Sequence, residues 1–201
     1  MVKNTKEKKQ TQEEIKKLFE DSAKIILKSK SLSNKIESSI EMILESLKQN
    51  KKIVIMGNGG SAADAQHMAA EFIGRYLLER ESIPAISLAT DSSILTAIGN
   101  DYGFEKTFSR QCEALIEKND TVIVISTSGN SKNILEALKI CKKKNTKTIG
   151  LTGKSGGKLK EKVDLIIQVP SSSTPRIQEG HRIIIHTICE LVEKKIKKQI
   201  K

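Results

Sequence analysis

The sequence predicts a doubly wound α/β fold: a five-stranded parallel sheet as the middle of three αβα layers, preceded by a helical extension. Three features carry that expectation. Short, wholly apolar runs rich in β-branched residues, such as Ile53 to Met56 and Val122 to Ile125, suit strands covered on both faces. Both runs lead directly into a Gly- or Ser-rich turn that opens a helix. Strand-like and helix-like stretches then alternate towards the end of the chain, the pattern of βα units.

Residues 1–10 are charged and poor in apolar side chains, and are expected to fray. From Thr11, Ile15, Leu18, Phe19, Ala23 and Ile26 keep helical spacing. A second helix follows with Ile36, Ile40, Ile43, Leu44 and Leu47 on one side. Two amphipathic helices ahead of the first strand exceed what one sheet needs, so they are expected to pack on a partner subunit as well. After strand 53–56, Gly57, Gly59 and Gly60 allow a sharp turn and Ser61 is placed to cap a helix running to about Leu78. Strand 85–88, a helix over 92–98, a loop over 99–103 and a helix over 104–115 come next. Strand 122–125 then repeats the opening device, with Ser126-Thr127-Ser128-Gly129-Asn130-Ser131 starting a helix whose core side is Ile134, Leu135 and Leu138. Strand 148–151, a short helix near Gly157, strand 165–169 and a helix from Thr174-Pro175 to about Ile196 complete the chain.

Composition excludes several classes. A chain of 201 residues suffices for one α/β core, which must be aliphatic because aromatic residues make up 3% and Trp is absent. No apolar run approaches the roughly 18 residues of a membrane span, and no apolar segment follows the Lys-rich start, so a cytoplasmic protein without membrane contact is expected. Cys112, Cys141 and Cys189 lie far apart, against disulfides or a cysteine zinc site. The net charge of +11 gathers in lysines at the two ends, which reads as solvated tails; with no aromatic platform, no nucleic-acid partner is expected.

Ligands of such sheets bind at the carboxyl ends of the strands, where both Gly/Ser loops fall. Free N–H groups at a helix start with the Asn58 amide and Ser61 hydroxyl, or with the hydroxyls of residues 126–131, are a composition for holding a phosphate without cations. Ordinary capping accounts for one such Ser but not for four hydroxyls. A P-loop lacks its lysine here. Gly57-x-Gly59-x-x-Ala62 meets the looser dinucleotide pattern, but Asp91, the first acid after the second strand, comes about ten positions too late. Asp64, His67, Glu71 and Arg75 make a polar stripe at helical spacing, which seen alone reads first as a solvated face. Gln178 and His186, eight residues apart on the last helix, can share a site without being compelled to.

Five motifs in order, Gly57-Asn58-Gly59-Gly60-Ser61, His67-x-x-x-Glu71, Asn100-Asp101, Ser126 to Ser131 and Gln178-x7-His186, make the chain from about residue 15 resemble the phosphoheptose isomerases, enzymes built on the sugar isomerase (SIS) domain. The resemblance implies conversion of sedoheptulose 7-phosphate into D-glycero-D-manno-heptose 7-phosphate, an early step towards bacterial surface polysaccharide. It implies a homotetramer with sites at subunit interfaces, residues 1–50 as the oligomer-forming extension and residues 51–201 as the SIS domain, in one globular unit overall. Substrate contacts by resemblance are Asn58, Gly59, Gly60, Ser61, Glu71, Asn100, Asp101, Ser126, Thr127, Ser128, Ser131 and Gln178. The implied metal is zinc, on His67, Glu71, Gln178 and His186. Enediol chemistry asks for a base between adjacent carbons and a partner on their oxygens, roles assigned to Glu71 and His186. Zinc would polarise the carbonyl but weaken Glu71 as a base, and both roles are held open. Two other readings keep the fold without turnover: a scaffold, such as the related factor that associates with the bacterial replication initiator, or a sugar-phosphate-binding regulator.

Overall fold

The computed structural model describes residues 2–199. Helices α1 (Val2–Lys28) and α2 (Ser33–Lys48) are joined by a short 3-10 turn and precede five βα units. These comprise β1 (Ile53–Gly57), α3 (Gly60–Ile73), β2 (Ala85–Ser87), α4 (Ser92–Tyr102), α5 (Thr107–Leu115), β3 (Thr121–Ile125), α6 (Lys132–Lys143), β4 (Lys147–Thr152), β5 (Leu165–Gln168) and α7 (Thr174–Gln199). The strands are all parallel in the order β2-β1-β3-β4-β5. The doubly wound expectation therefore holds, with the switch point between β1 and β3.

Strand periodicity divides the core. Ile53 and Ile55 of β1 with Ile123 and Ile125 of β3 join a cluster formed with α2, α3 and α7. Val54, Met56, Val122 and Val124 point the opposite way into a cluster with Phe108 and Cys112 of α5 and Ile134, Leu138 and Cys141 of α6. Both faces of the sheet are thus covered, which is why β1 and β3 are buried at every residue. Cys112, Cys141 and Cys189 are free and buried. Among the described residues no helix is long and apolar enough to cross a membrane.

Several boundaries differ from expectation, those of α1, α3 and α4 for reasons legible in the structure. Helix α1 already runs at Val2, in the stretch expected to fray, because nothing between there and Lys28 is Gly or Pro; Met1 lies outside the described residues. Ser61 does not cap α3: Gly59 occupies the cap position at φ +57°, and Ser61 is buried in the first turn. Helix α3 stops at Ile73 rather than Leu78, since Gly74 interrupts it and side chains from beyond the helix take its last carbonyls. Helix α4, capped by Asp91 (Ile94 N–H to Oδ1, 2.9 Å), continues through Asn100 and Asp101 until Gly103 at φ +88° ends it.

One buried group makes stability pH-dependent. His181 of α7 is fully buried and neither ring nitrogen has a hydrogen-bond partner among the described residues. Burial pulls its pKa down to about 4, opposed weakly by the Thr152 backbone. A native pKa below the unfolded value of about 6.5 means stability is complete above pH 6.5 and drains as pH falls towards 4. Between pH 7 and 5 the loss is about 2 kcal/mol from this residue. His181→Leu removes the titration, so its Tm, followed by circular dichroism across that range, should fall by several degrees less than that of the unsubstituted protein.

Candidate active site

Gly57 pairs with Ile125 in the β1–β3 register, so the two Gly/Ser loops leave the sheet side by side. Asn58 reaches across and exchanges two amide hydrogen bonds of 2.9 Å with Asn133 of α6. Asn133 is itself buried and donates to Thr107 Oγ1 at 3.3 Å. Sequence reasoning missed Asn133, which in isolation is one polar residue on an amphipathic helix. Asn133→Ala should cost about 2 kcal/mol by leaving buried partners unpaired, read as a lower urea midpoint, and should raise the KM for sugar phosphate by freeing Asn58.

In the second loop, Ser126 Oγ and Ser131 Oγ lie 3.0 Å apart and Gly129 N–H donates to Ser126 Oγ at 3.2 Å. No side chain caps α6, so these hydroxyls are not spent on capping. Thr127 and Ser128 line a cavity of about 270 Å³ with Lys154, Ser155, Ser172 and Thr174. Lys154 is a cation that sequence reasoning did not place there.

The other half of the site is the seam between α3 and α7. The two helices run in the same direction, and their facing residues form a ladder. Gln178 lies against Gly60, where an added Cβ would stand 3.0 Å from Gln178 Cδ and would push that side chain aside. Asp64 meets Arg182 at 2.6 Å. Burial pushes the Asp64 carboxyl above its ordinary range, and Arg182 opposes the shift. His67 Nε2 stands 2.9 Å from His186 Nε2 and 3.4 Å from Glu71 Oε1. The Tyr76 ring centroid is 5.7 Å from that of His186. Burial, then the neighbouring His67 and Arg182, hold His186 below the ordinary imidazole value, so it is neutral near pH 7. A neutral imidazole beside a carboxylate can take a proton from one oxygen and give one to the next.

His67, Glu71 and His186 are thus brought together, and Gly60, Ser61 and Gln178 meet at the start of α3. Gln178 lies against Gly60, and eight residues of helix separate it from His186, a rise of about 12 Å along α7. Asn100 and Asp101 bond to each other at 2.8 Å on the exposed end of α4, tied to neither loop among the described residues. As they stand, no three or more His, Cys, Asp or Glu side chains among the described residues are arranged as a metal site. The nitrogen and oxygen donors of His67, Glu71 and His186 are nonetheless of the kind that suits zinc.

Comparison with known proteins addresses the family and the fold. The SIS domain model matches residues 18–153. A phosphoheptose isomerase of Geobacter sulfurreducens is 56% identical over 165 residues, covering 82% of this chain and 87% of that protein. One from Campylobacter concisus is 52% identical over 179 residues, covering 89% and 95%.

The chain belongs to the phosphoheptose isomerase family of SIS domain proteins. Solved phosphoheptose isomerases share its architecture: that of Neisseria gonorrhoeae superposes with a TM-score of 0.87 at 41% identity, covering 91% of this chain and 98% of that one. That of Francisella tularensis gives 0.89 at 34% identity, covering 92% and 98%. Membership in the phosphoheptose isomerases makes the chain an aldose–ketose isomerase, which favours the catalytic expectation over the scaffold and the regulator.

Proposed function

We propose that the protein converts D-sedoheptulose 7-phosphate into D-glycero-D-manno-heptose 7-phosphate through a 1,2-enediol, as the first step towards bacterial heptose precursors. The observation that carries this reading is the convergence of Glu71, His67 and His186 on one seam, beside hydroxyl loops able to hold a phosphate. The loop hydroxyls of Ser126, Thr127, Ser128 and Ser131 and the α6 amides hold the phosphate end, with Lys154 as counter-charge. Asn58, Gly59, Gly60, Ser61 and Gln178 line the sugar at the start of α3. Glu71 takes the proton from C1 and returns it to C2. His186 delivers a proton to O2 and accepts the one from O1, so atoms and charge balance. Pinning the phosphate sets the reacting carbons against Glu71, which turns proximity into rate.

Under the same reading His67, Glu71, Gln178 and His186 would hold a zinc ion, which would supply polarisation of the carbonyl. The assembly is a homotetramer, located in the cytoplasm. What supports the assembly is an apolar groove of about 590 Å³ between α1, α2 and α7, lined by exposed Leu27, Ile183 and Leu191, with Leu18 and Phe19 also exposed on α1. Asn100 and Asp101 then reach a site across a subunit contact.

Incubation with sedoheptulose 7-phosphate in D2O, followed by NMR of the C1 and C2 protons, tests the function. Solvent deuterium should enter the sugar as aldose accumulates; binding without exchange would refute isomerisation. Metal analysis of the active enzyme with chelator treatment tests zinc, and the mass in solution tests the tetramer.

A further inference from the structure

The end of α3 is held by a buried ion pair that the chemistry above does not use. Glu193 and Arg80 have side chains 0% and 2% exposed, joined by Arg80 Nε and Glu193 Oε1 at 3.1 Å. Glu193 Oε1 also accepts from the amide of Tyr76 at 2.9 Å, and Oε2 from the amides of Leu77 at 2.8 Å and Leu78 at 2.9 Å. Arg80 turns its fork to the helix terminus. Nη2 donates to the Glu71 carbonyl at 2.8 Å, and Nη1 donates to those of Phe72 at 2.9 Å and Glu81 at 2.8 Å.

A helix end leaves its last four carbonyls without helical partners, and such ends fray. Here each is taken: Ala70 by the Gly74 amide, Glu71 and Phe72 by Arg80, and Ile73 by the Ser82 hydroxyl. Glu71 sits in that final turn. Tyr76, beside the His186 ring, sits in the segment whose amides Glu193 gathers. Glu193 and His186 are seven residues apart on α7, two turns along the same face. One carboxylate on the helix that carries His186 therefore fixes the terminus that carries Glu71.

We propose that Glu193, acting through Arg80, is a positioning residue that sets the Glu71 carboxylate against His186 for proton transfer. Neither residue touches the substrate. The proposal rests on Glu71 being the base. Glu193→Gln puts an NH2 group against amides that need an acceptor. Arg80→Lys keeps the charge but loses the planar fork that spans the carboxylate and the carbonyls of Glu71, Phe72 and Glu81.

The test measures C1 proton exchange in D2O at saturating sedoheptulose 7-phosphate, at a temperature where circular dichroism shows each variant fully folded, with Glu71→Gln in parallel. Positioning predicts kcat lowered about 10- to 100-fold with KM changed less than about twofold, as for a sub-ångström misplacement of a reacting group. Arg80→Lys should be the milder of the two. A folded variant with exchange at the parental rate, or with a raised KM and unchanged kcat, overturns the proposal. If Glu71→Gln keeps exchange, the base reading fails, and positioning of that base fails with it. If Glu71→Gln is inactive while Glu193→Gln is normal, the clamp alone fails. Should both clamp variants fail to fold, amide exchange of the unsubstituted protein decides. Protection of Tyr76, Leu77 and Leu78 equal to that of β1 supports a rigid terminus, whereas fast local opening there overturns it.

Discussion

Glu71→Gln is expected to lower kcat by about 10³-fold while leaving the protein folded and able to bind sugar phosphate. Loss of a positioned general base is worth roughly that factor, and glutamine keeps the shape and an acceptor oxygen but has no basic site. The stability change should stay within about 0.5 kcal/mol. The carboxylate is partly exposed and its 3.4 Å contact to His67 is an i,i+4 pair on a helix surface. The decisive measurement is NMR in D2O: the parent should place deuterium at the reacting carbons, and the variant should show none over the same time. Titration with the sugar phosphate should still give a binding signal, because the phosphate loop after β3 is untouched. Turnover within tenfold of the parent would remove Glu71 as the base. Metal content of the variant separates the two roles held by this residue. Retained metal with lost exchange assigns the loss to the proton, and lost metal with lost exchange leaves Glu71 a ligand.

Strands β1 and β3 are legible in the sequence because a strand covered on both faces needs no alternation; continuous β-branched apolarity is the signal itself. The two loops are legible because strand, Gly/Ser turn and amphipathic helix follow one another without a gap. Boundaries decided by distant partners are not legible. The end of α3 depends on Arg80 and on Glu193, which stands 113 residues beyond Arg80, so the helical pattern reads on past Gly74 to Leu78. Helix α4 runs through Asn100 and Asp101, whose composition suggests a loop, because the Asp91 cap starts it firmly and Gly103 ends it. Within the site, His67 and Glu71 are a recognisable pair, but their meeting with His186 is a property of how α3 lies along α7. Asn133 is silent for the same reason: only the neighbouring of β1 and β3 brings it to Asn58.

Gly129→Ala should be the most damaging small substitution at the site, lowering Tm by roughly 10 °C and raising the KM for sugar phosphate several-fold. Gly129 has φ +66°, a conformation that costs an L-residue about 1–3 kcal/mol when imposed. Space is the larger difficulty. An added Cβ would overlap the carbonyl oxygen of Gly156 and lie 2.6 Å from its carbon and 3.0 Å from the Gly157 nitrogen. These are backbone atoms of the turn after β4, not the flexible end of a side chain, so relief requires moving one loop away from the other. That movement strains the 3.0 Å bond from the Leu159 amide to the Gly129 carbonyl and the 3.0 Å bond from the Lys158 amide to Asn130 Oδ1. It also shifts Ser126, Thr127, Ser128 and Ser131 together, which is why affinity at the phosphate end should fall with stability. Strain and overpacking together amount to about 2–5 kcal/mol, at about 2–4 °C of Tm per kcal/mol for a chain of this size. Gly59→Ala is the matching control. Its φ of +57° is just as unfavourable for alanine, but nothing lies within 4 Å of its added Cβ, so it carries the conformational cost without the clash. Thermal melts of the two variants side by side isolate the contact between the loops, and equal Tm losses would mean that the turn after β4 yields freely and does not brace the phosphate loop.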